Sequence, residues 1–206
     1  MLRNFNLTLS VLGLLGFFGC SSGPKESLQD GDVVFQDFPT PQSEAIKLAT
    51  QSEYSHCGIV FFQDGEPIVW EAVQPVRMTP LEEWIARDSS GHYVVRRLKG
   101  ADSLLTEPGV EQMKMAGQQH MGKDYDIYFA WSDEQLYCSE LVWKMYSEGL
   151  GVELAPLRTL GDYEISHPVV RGIMQQRWGE NFPSEEPVVA PGDLYRSDLM
   201  ETVYSQ

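Results

Sequence analysis

Positive charge is scarce in this chain: 15 lysines and arginines stand against 30 aspartates and glutamates, for a net charge of −15. No segment gathers enough basic residues to track a phosphate backbone, so nucleic acid is excluded as a partner. The same deficit argues against adsorption to anionic headgroups through surface charge, so any membrane attachment must come from an anchor. Histidine is also rare, with four residues. His92, His120 and His167, even taken with Asp124 and Asp126, match no ligand spacing, so neither a metal nor another cofactor is expected. There is no internal repeat, no low-complexity tract and no second domain boundary.

The N-terminal apolar run, Leu7 to Phe18, is too short for a comfortable membrane span. Preceded by Arg3 and followed by Gly19-Cys20, it reads as a secretory signal over residues 1–19. Ending on Gly-Cys, it resembles a bacterial lipoprotein signal, which implies cleavage before Cys20 and lipid attachment to that residue. The alternative is ordinary secretion without the lipid. Ser21 after the anchor resembles the default outer-membrane address of Gram-negative lipoproteins, facing the periplasm. Residues 20–27, Cys-Ser-Ser-Gly-Pro-Lys-Glu-Ser, then form the lipidated end and a flexible tether. Residues 28–206 suit one domain with a sound core. With Cys20 committed, Cys57 and Cys138 remain as a disulfide or as two free thiols. The histidine beside Cys57 and the helix start at Cys138 favour free thiols.

Periodicity gives a coarse fold. Gly31 to Phe35 reads as a turn into a strand, and Thr40-Pro41 opens a helix running through Ile46 and Leu48. Gly58 to Phe62 and Pro67 to Val73 are apolar runs around Asp64-Gly65, a strong hairpin signal. Thr79-Pro80-Leu81-Glu82 reads as a capping box for a short helix carrying Trp84 and Ile85. A third strand is expected from His92 to Leu98, and a helix from Pro108 to His120 with Gly122 as its stop. Leu141, Val142, Met145 and Tyr146 mark a further helix, for which Gly149 offers the end. The tail, rich in Pro and Gly, reads as irregular down to Val188–Leu194. The class is α+β, with helices packed against a small antiparallel sheet or half-barrel.

Cys138 stands where a polar loop turns into that last helix, so unpaired N–H groups and the macrodipole favour its thiolate. His56, at the mouth of an apolar strand, completes the minimum set for thiol nucleophilic catalysis. The alternative is a buried cysteine packed as a small hydrophobe. If Asp64 and Gly65 are the two loop residues of the hairpin, Gly58 faces Glu71 and His56 becomes a diagonal neighbour of that carboxylate. Cys138 is then the nucleophile, His56 the base and later the acid, and Glu71 the group that fixes the imidazole. Backbone N–H groups at the helix start would meet the oxyanion, and Tyr54 and Tyr137 are candidate hydroxyl donors to substrate.

Four stretches, Gly31–Phe35, Ser55–Val60, Tyr137–Val142 and Ala190–Leu194, together resemble the circularly permuted papain-like amidases of the NlpC-like superfamily. That group includes bacterial lipoproteins of the YaeF/YiiX kind. The order of the pair carries the resemblance, since His56 precedes Cys138 and the unpermuted enzymes place cysteine first. The resemblance implies a permuted papain-like fold, a Cys138–His56 pair with Glu71 as third member, and hydrolysis of an amide or related acyl bond. Three functions stay open. The first is a thiol amidase on cell-wall-derived peptides. The second is a thioesterase, lipase or acyltransferase on lipid acyl groups, and the third a non-catalytic envelope binding module. The partner is accordingly a small peptide or lipid-like substrate, and nothing in the sequence speaks to oligomeric state.

Overall fold

The computed structural model describes residues 27–206. The expected signal peptide, the Cys20 anchor and the tether up to residue 26 lie outside them. Among the described residues no helix is long and apolar enough to cross a membrane.

The described residues form eight strands: β1 (Val33–Gln36), β2 (His56–Gln63), β3 (Glu66–Glu71), β4 (Arg77–Pro80), β5 (Val94–Leu98), β6 (Arg158–Thr159), β7 (Pro187–Val188) and β8 (Met200–Ser205). Six make one open antiparallel sheet in the order β4-β3-β2-β1-β5-β8, and β6 pairs with β7 separately. The helices are α1 (Pro41–Thr50), α2 (Leu81–Ile85), α3 (Ala101–Leu104), α4 (Glu107–Gln118), α5 (Cys138–Leu150), α6 (Pro168–Trp178) and α7 (Pro191–Tyr195). This is the expected α+β fold, with the sheet open at both edges.

The hairpin register is the one the turn chemistry predicts. Asp64 and Gly65 have φ of 52° and 81°, both left-handed, as a two-residue turn with the right twist requires. Ile59 then faces Trp70 and Val60 faces Val69. Period two sorts the strands between two cores. Cys57, Ile59 and Phe61 join Val33 and Phe35 on the side covered by α5. Val34, Val60, Val69 and Val95 pack on the opposite side with Trp84 and Leu81. Both faces of the central strands are thus dry, which is why β1 and β2 read as continuous apolar runs.

A buried ion pair ties β1 to β5. Arg97 donates to both Asp32 oxygens, at 2.7 and 2.8 Å, and Asp32 also accepts from the Gln29 N–H. Near the other end, the Asp193 carboxylate accepts from Ala190 N at 2.9 Å and caps α7. Asp32 and Asp193, each following a glycine, therefore serve as structural anchors.

Three local expectations are corrected. Thr79 does not cap a helix: it lies in β4 opposite Val69, and α2 begins at Leu81 with no side-chain cap. Its hydroxyl is taken instead by Glu71. Gly149 is not the stop of α5, which ends at Gly151 in the left-handed conformation. A Cβ at Gly149 would lie 2.7 Å from the Met113 Cα, so this glycine lets α4 and α5 approach closely. The tail is more regular than its Pro and Gly content suggests, since it supplies α6, α7 and the edge strand β8.

Candidate active site

His56 is the first residue of β2 and Cys138 the first of α5, so the site sits where the sheet and the helix N-terminus meet. Tyr137 enters the helix in extended conformation, with its N–H 3.4 Å from Glu140 Oε2. Two further bonds hold the neighbouring chain: Ser139 donates to Val189 O at 2.8 Å, and Tyr137 Oη accepts from Val189 N at 3.3 Å. The helix start is thereby pinned to the Val188–Ala190 segment. Cys138 is 2% exposed.

The His56 ring lies between Phe38 and Trp84, with centroids 5.5 and 6.0 Å away. Its Nε2 is 2.7 Å from Glu71 Oε2, which leaves Nδ1 as the nitrogen available to Cys138. Gly58 makes this possible, because a Cβ there would come within 2.5 Å of Val69 and 3.4 Å of the Glu71 Cβ. Glu71 is fully buried and accepts from Thr79 at 2.6 Å and from Arg87 Nη1 at 2.7 Å as well as meeting His56. Nothing in the sequence flags Arg87 or Thr79 as members of this group. Only the pairing of β3 with β4 and the turn after α2 deliver them.

Electrostatics divides the roles. Burial alone would raise the Glu71 carboxyl, yet hydrogen bonds from His56, Arg87 and Thr79 hold it down at about 2. Burial would likewise depress His56, but hydrogen bonds to Cys138 and Glu71 outweigh it and lift the imidazole to about 9. Cys138 is driven well below the ordinary thiol range by a hydrogen bond from the Cys57 thiol, with His56 adding a hydrogen bond and its charge against the cost of burial. Cys57 goes the other way, raised by burial and by the charge on its neighbour, so it stays a thiol and donates. Both cysteines are free. The arrangement favours the thiolate form of Cys138 and the protonated form of His56.

The two tyrosines expected near the site part company. Tyr137 lines the cavity onto which Cys138 opens. Tyr54 packs against Tyr195, with ring centroids 4.5 Å apart and their hydroxyls hydrogen-bonded, and does not line that cavity. The hydroxyls of Tyr125 and Tyr137 both feel the Cys138 charge, Tyr125 the more strongly. Tyr125 Oη accepts from Gln42 Nε2 at 3.0 Å, and Gln42 Oε1 accepts from Arg177. Burial keeps the phenol protonated, so its own hydrogen remains free to donate. Tyr125 lies in a segment without periodicity, and no sequence signal singles it out.

The remaining histidines have structural partners. His167 accepts from Val169 N and caps α6, and His92 stacks on Tyr54. His120, Asp133 and Glu148 bring ligand-type atoms within 4.8 Å of one another, and His120 Nε2 has no hydrogen-bond partner. Two ammonium groups already occupy the surroundings: Lys123 Nζ is 3.1 Å from His120 Nδ1, and Lys144 Nζ is 2.7 Å from Asp133 Oδ1. A divalent cation would be repelled by both, so this donor set does not fit a metal. Asp126 is spent on Tyr128 N and Ala130 N, and Asp124 on Gln74.

Known proteins resemble this chain in sequence and fold. A curated relative, the "Uncharacterized protein YiiX" of Escherichia coli K12, is 40% identical over 175 residues, 85% of each chain. The crystal structure titled "metalloprotein yiiX" from Escherichia coli O157:H7 superposes with a TM-score of 0.83 at 39% identity, covering 87% of this chain and 98% of that one. The family model described as "Permuted papain-like amidase enzyme, YaeF/YiiX, C92 family" matches residues 27–204. The chain belongs to the permuted papain-like amidases of the YaeF/YiiX family.

Proposed function

We propose that this protein is an envelope-anchored thiol amidase that works through Cys138, His56 and Glu71. The supporting observation is His56, placed between a buried, ionised Glu71 at 2.7 Å and a Cys138 whose thiol it acidifies. The Cys138 thiolate attacks the amide carbonyl carbon, and the negative charge moves to the carbonyl oxygen. The Cys138 N–H at the helix start and the Tyr125 O–H are the donors in place for that oxygen. The His56 imidazolium gives its proton to the leaving nitrogen as the C–N bond breaks, leaving a thioester on Cys138. Neutral His56 then takes a proton from water, whose oxygen attacks the thioester, and the acid product leaves with the thiolate restored. Glu71 keeps the imidazole oriented and stabilises its positive form throughout. A binding module has no need of a thiol held this way.

Iodoacetamide tests the pair directly. Cys138 is expected to alkylate far below the pH of about 8.5 at which a free thiol titrates. His56→Ala should move that titration upward by removing a hydrogen bond and a positive charge. A Cys138 that stays inert at neutral pH would remove the basis of the reading.

The anchor is proposed from residues 1–20, and the expected substrates are cell-wall-derived peptides or lipid-linked molecules within its reach. Cys20→Ser should convert a detergent-extracted protein into a soluble or unprocessed one. Metabolic labelling with a fatty-acid analogue should mark the wild type and not the variant, and an unlabelled wild type would refute the anchor.

A further inference from the structure

One buried nucleophilic group has no step in the reaction: the thiol of Cys57. It is fully buried in β2, opposite Phe35 of β1, and Cys138 is the first residue of α5. Strand alternation turns Cys57 toward the side that α5 covers, with Ile59 and Phe61, and both cysteines belong to that core. There the two sulfurs meet, the Cys57 thiol donating its hydrogen bond to Cys138. Neither backbone is free to drift. Strand β2 is held between β1 and β3, and the start of α5 is tied to the Val189 backbone by Ser139 and Tyr137.

Packing and a hydrogen bond do not by themselves call for a thiol at this place. A hydroxyl donates a stronger bond than S–H, and other small side chains fill such a site as well. What a thiol adds is oxidation chemistry. Access divides the pair, because Cys138 borders the cavity and Cys57 does not. A small oxidant therefore reaches Cys138 first, and the thiolate is the form that reacts. Cys57 waits behind it as a resolving thiol.

We propose that Cys57 and Cys138 are a reversible redox pair, in which a small hydroperoxide oxidises the nucleophile and Cys57 captures it as a disulfide. This rests on the thiol reading above and adds a regulation of the same site. The Cys138 thiolate attacks one oxygen of the peroxide, the O–O bond breaks, and the departing oxygen takes the His56 proton. With hydrogen peroxide the product is water, and Cys138 becomes a sulfenic acid. The Cys57 sulfur then attacks the sulfenic sulfur. The S–O bond breaks, and the Cys57 proton leaves with that oxygen as a second water. Two thiols have given up two electrons, and the peroxide has gained them. Closing the bond brings sulfurs already in contact to about 2.05 Å. The disulfide form has no nucleophile and no activity, and it shields Cys138 from the sulfinic and sulfonic stages, which thiols do not reverse. A dithiol such as dithiothreitol undoes it: one thiolate attacks the Cys138 sulfur and releases Cys57, and closure of the reductant's own ring frees Cys138.

The test exposes the full-length wild type to hydrogen peroxide at neutral pH and then to iodoacetamide, with and without dithiothreitol in between. Peroxide is expected to abolish alkylation of Cys138, and dithiothreitol to restore it. Non-reducing peptide mapping should find the Cys57 peptide joined to the Cys138 peptide, about 2 Da lighter than the two reduced peptides together. Cys57→Ala removes the resolving thiol, so the same treatment should carry Cys138 to the sulfinic acid, about 32 Da heavier and beyond rescue by dithiothreitol. A wild type that yields the sulfinic acid without the cross-link, or that alkylates as before after peroxide, would overturn the redox pair while leaving the thiol reading intact. A Cys138 inert to iodoacetamide before any oxidation would instead overturn the thiol reading on which the pair rests.

Discussion

Cys138→Ala is expected to lower turnover by about 10⁴-fold or more, leaving only what binding and the oxyanion donors supply. The side chain it removes is small, so the fold should survive and the loss should appear in kcat. His56→Ala should fall to nearly the same floor, and the double variant no further, because thiolate and imidazolium act as one unit. Single-turnover hydrolysis of an amide substrate measures all three. The pH profile carries the sign of the pair. Activity should rise as pH passes the depressed pKa of Cys138, where the thiolate forms. It should fall as pH passes about 9, where His56 loses the proton that the leaving nitrogen needs. A Cys138→Ala variant that keeps even a tenth of wild-type turnover would place the nucleophile elsewhere.

Glu71→Ala is expected to damage both activity and stability. On the catalytic side the imidazole loses its orienting acceptor and part of what raises its pKa, for a loss on the order of 10²–10³-fold in turnover. On the structural side Glu71 is fully buried and holds Arg87, whose side chain is 14% exposed. Truncation leaves that guanidinium without its carboxylate and costs about 3 kcal/mol, read by chemical denaturation. Two further variants separate the effects. Glu71→Gln keeps an oxygen for His56 but loses the charge, so it should retain far more activity than alanine while the Cys138 alkylation profile moves to higher pH. Glu71→Ala combined with Arg87→Met should regain much of the stability and none of the activity, since it removes the stranded charge and not the defect at His56. An alanine variant with normal stability and full turnover would show that this carboxylate serves neither purpose.

Much of this site is written in local rules. Asp64-Gly65 needs two left-handed residues, which admits one tight hairpin. The strict alternation of β2 and β3 then brings Glu71 to the face of His56. The polar-to-helical boundary before Leu141 places Cys138 at a helix start, whatever packs around it. Thr40-Pro41 opens α1 for the same reason, a side-chain cap and a fixed φ. Such features depend on neighbours a few residues away, so periodicity and turn chemistry suffice to read them. The four stretches that carry the family resemblance, and the order of His56 before Cys138, can likewise be read straight from the sequence.

The partners of these residues are another matter. Thr79 looks like a helix cap until β4 pairs with β3 and gives its hydroxyl to Glu71. Arg87 is an unremarkable surface-type residue until the chain folds it 2.7 Å from the same carboxylate. Tyr125, Gln42 and Arg177 are 135 residues apart at their extremes and meet only across the cavity. Helix α6 lies in a tail that reads as irregular, and whether its apolar stripe covers a core or lines an open pocket depends on what packs opposite. Sequence alone singled out Cys138, His56 and Glu71 as a candidate triad and the α+β fold that brings them together, because their placement follows from short-range backbone geometry. Tertiary structure alone decided which charges hold Glu71 and which side chains border the cavity beside Cys138, because these are contacts between segments distant in the chain.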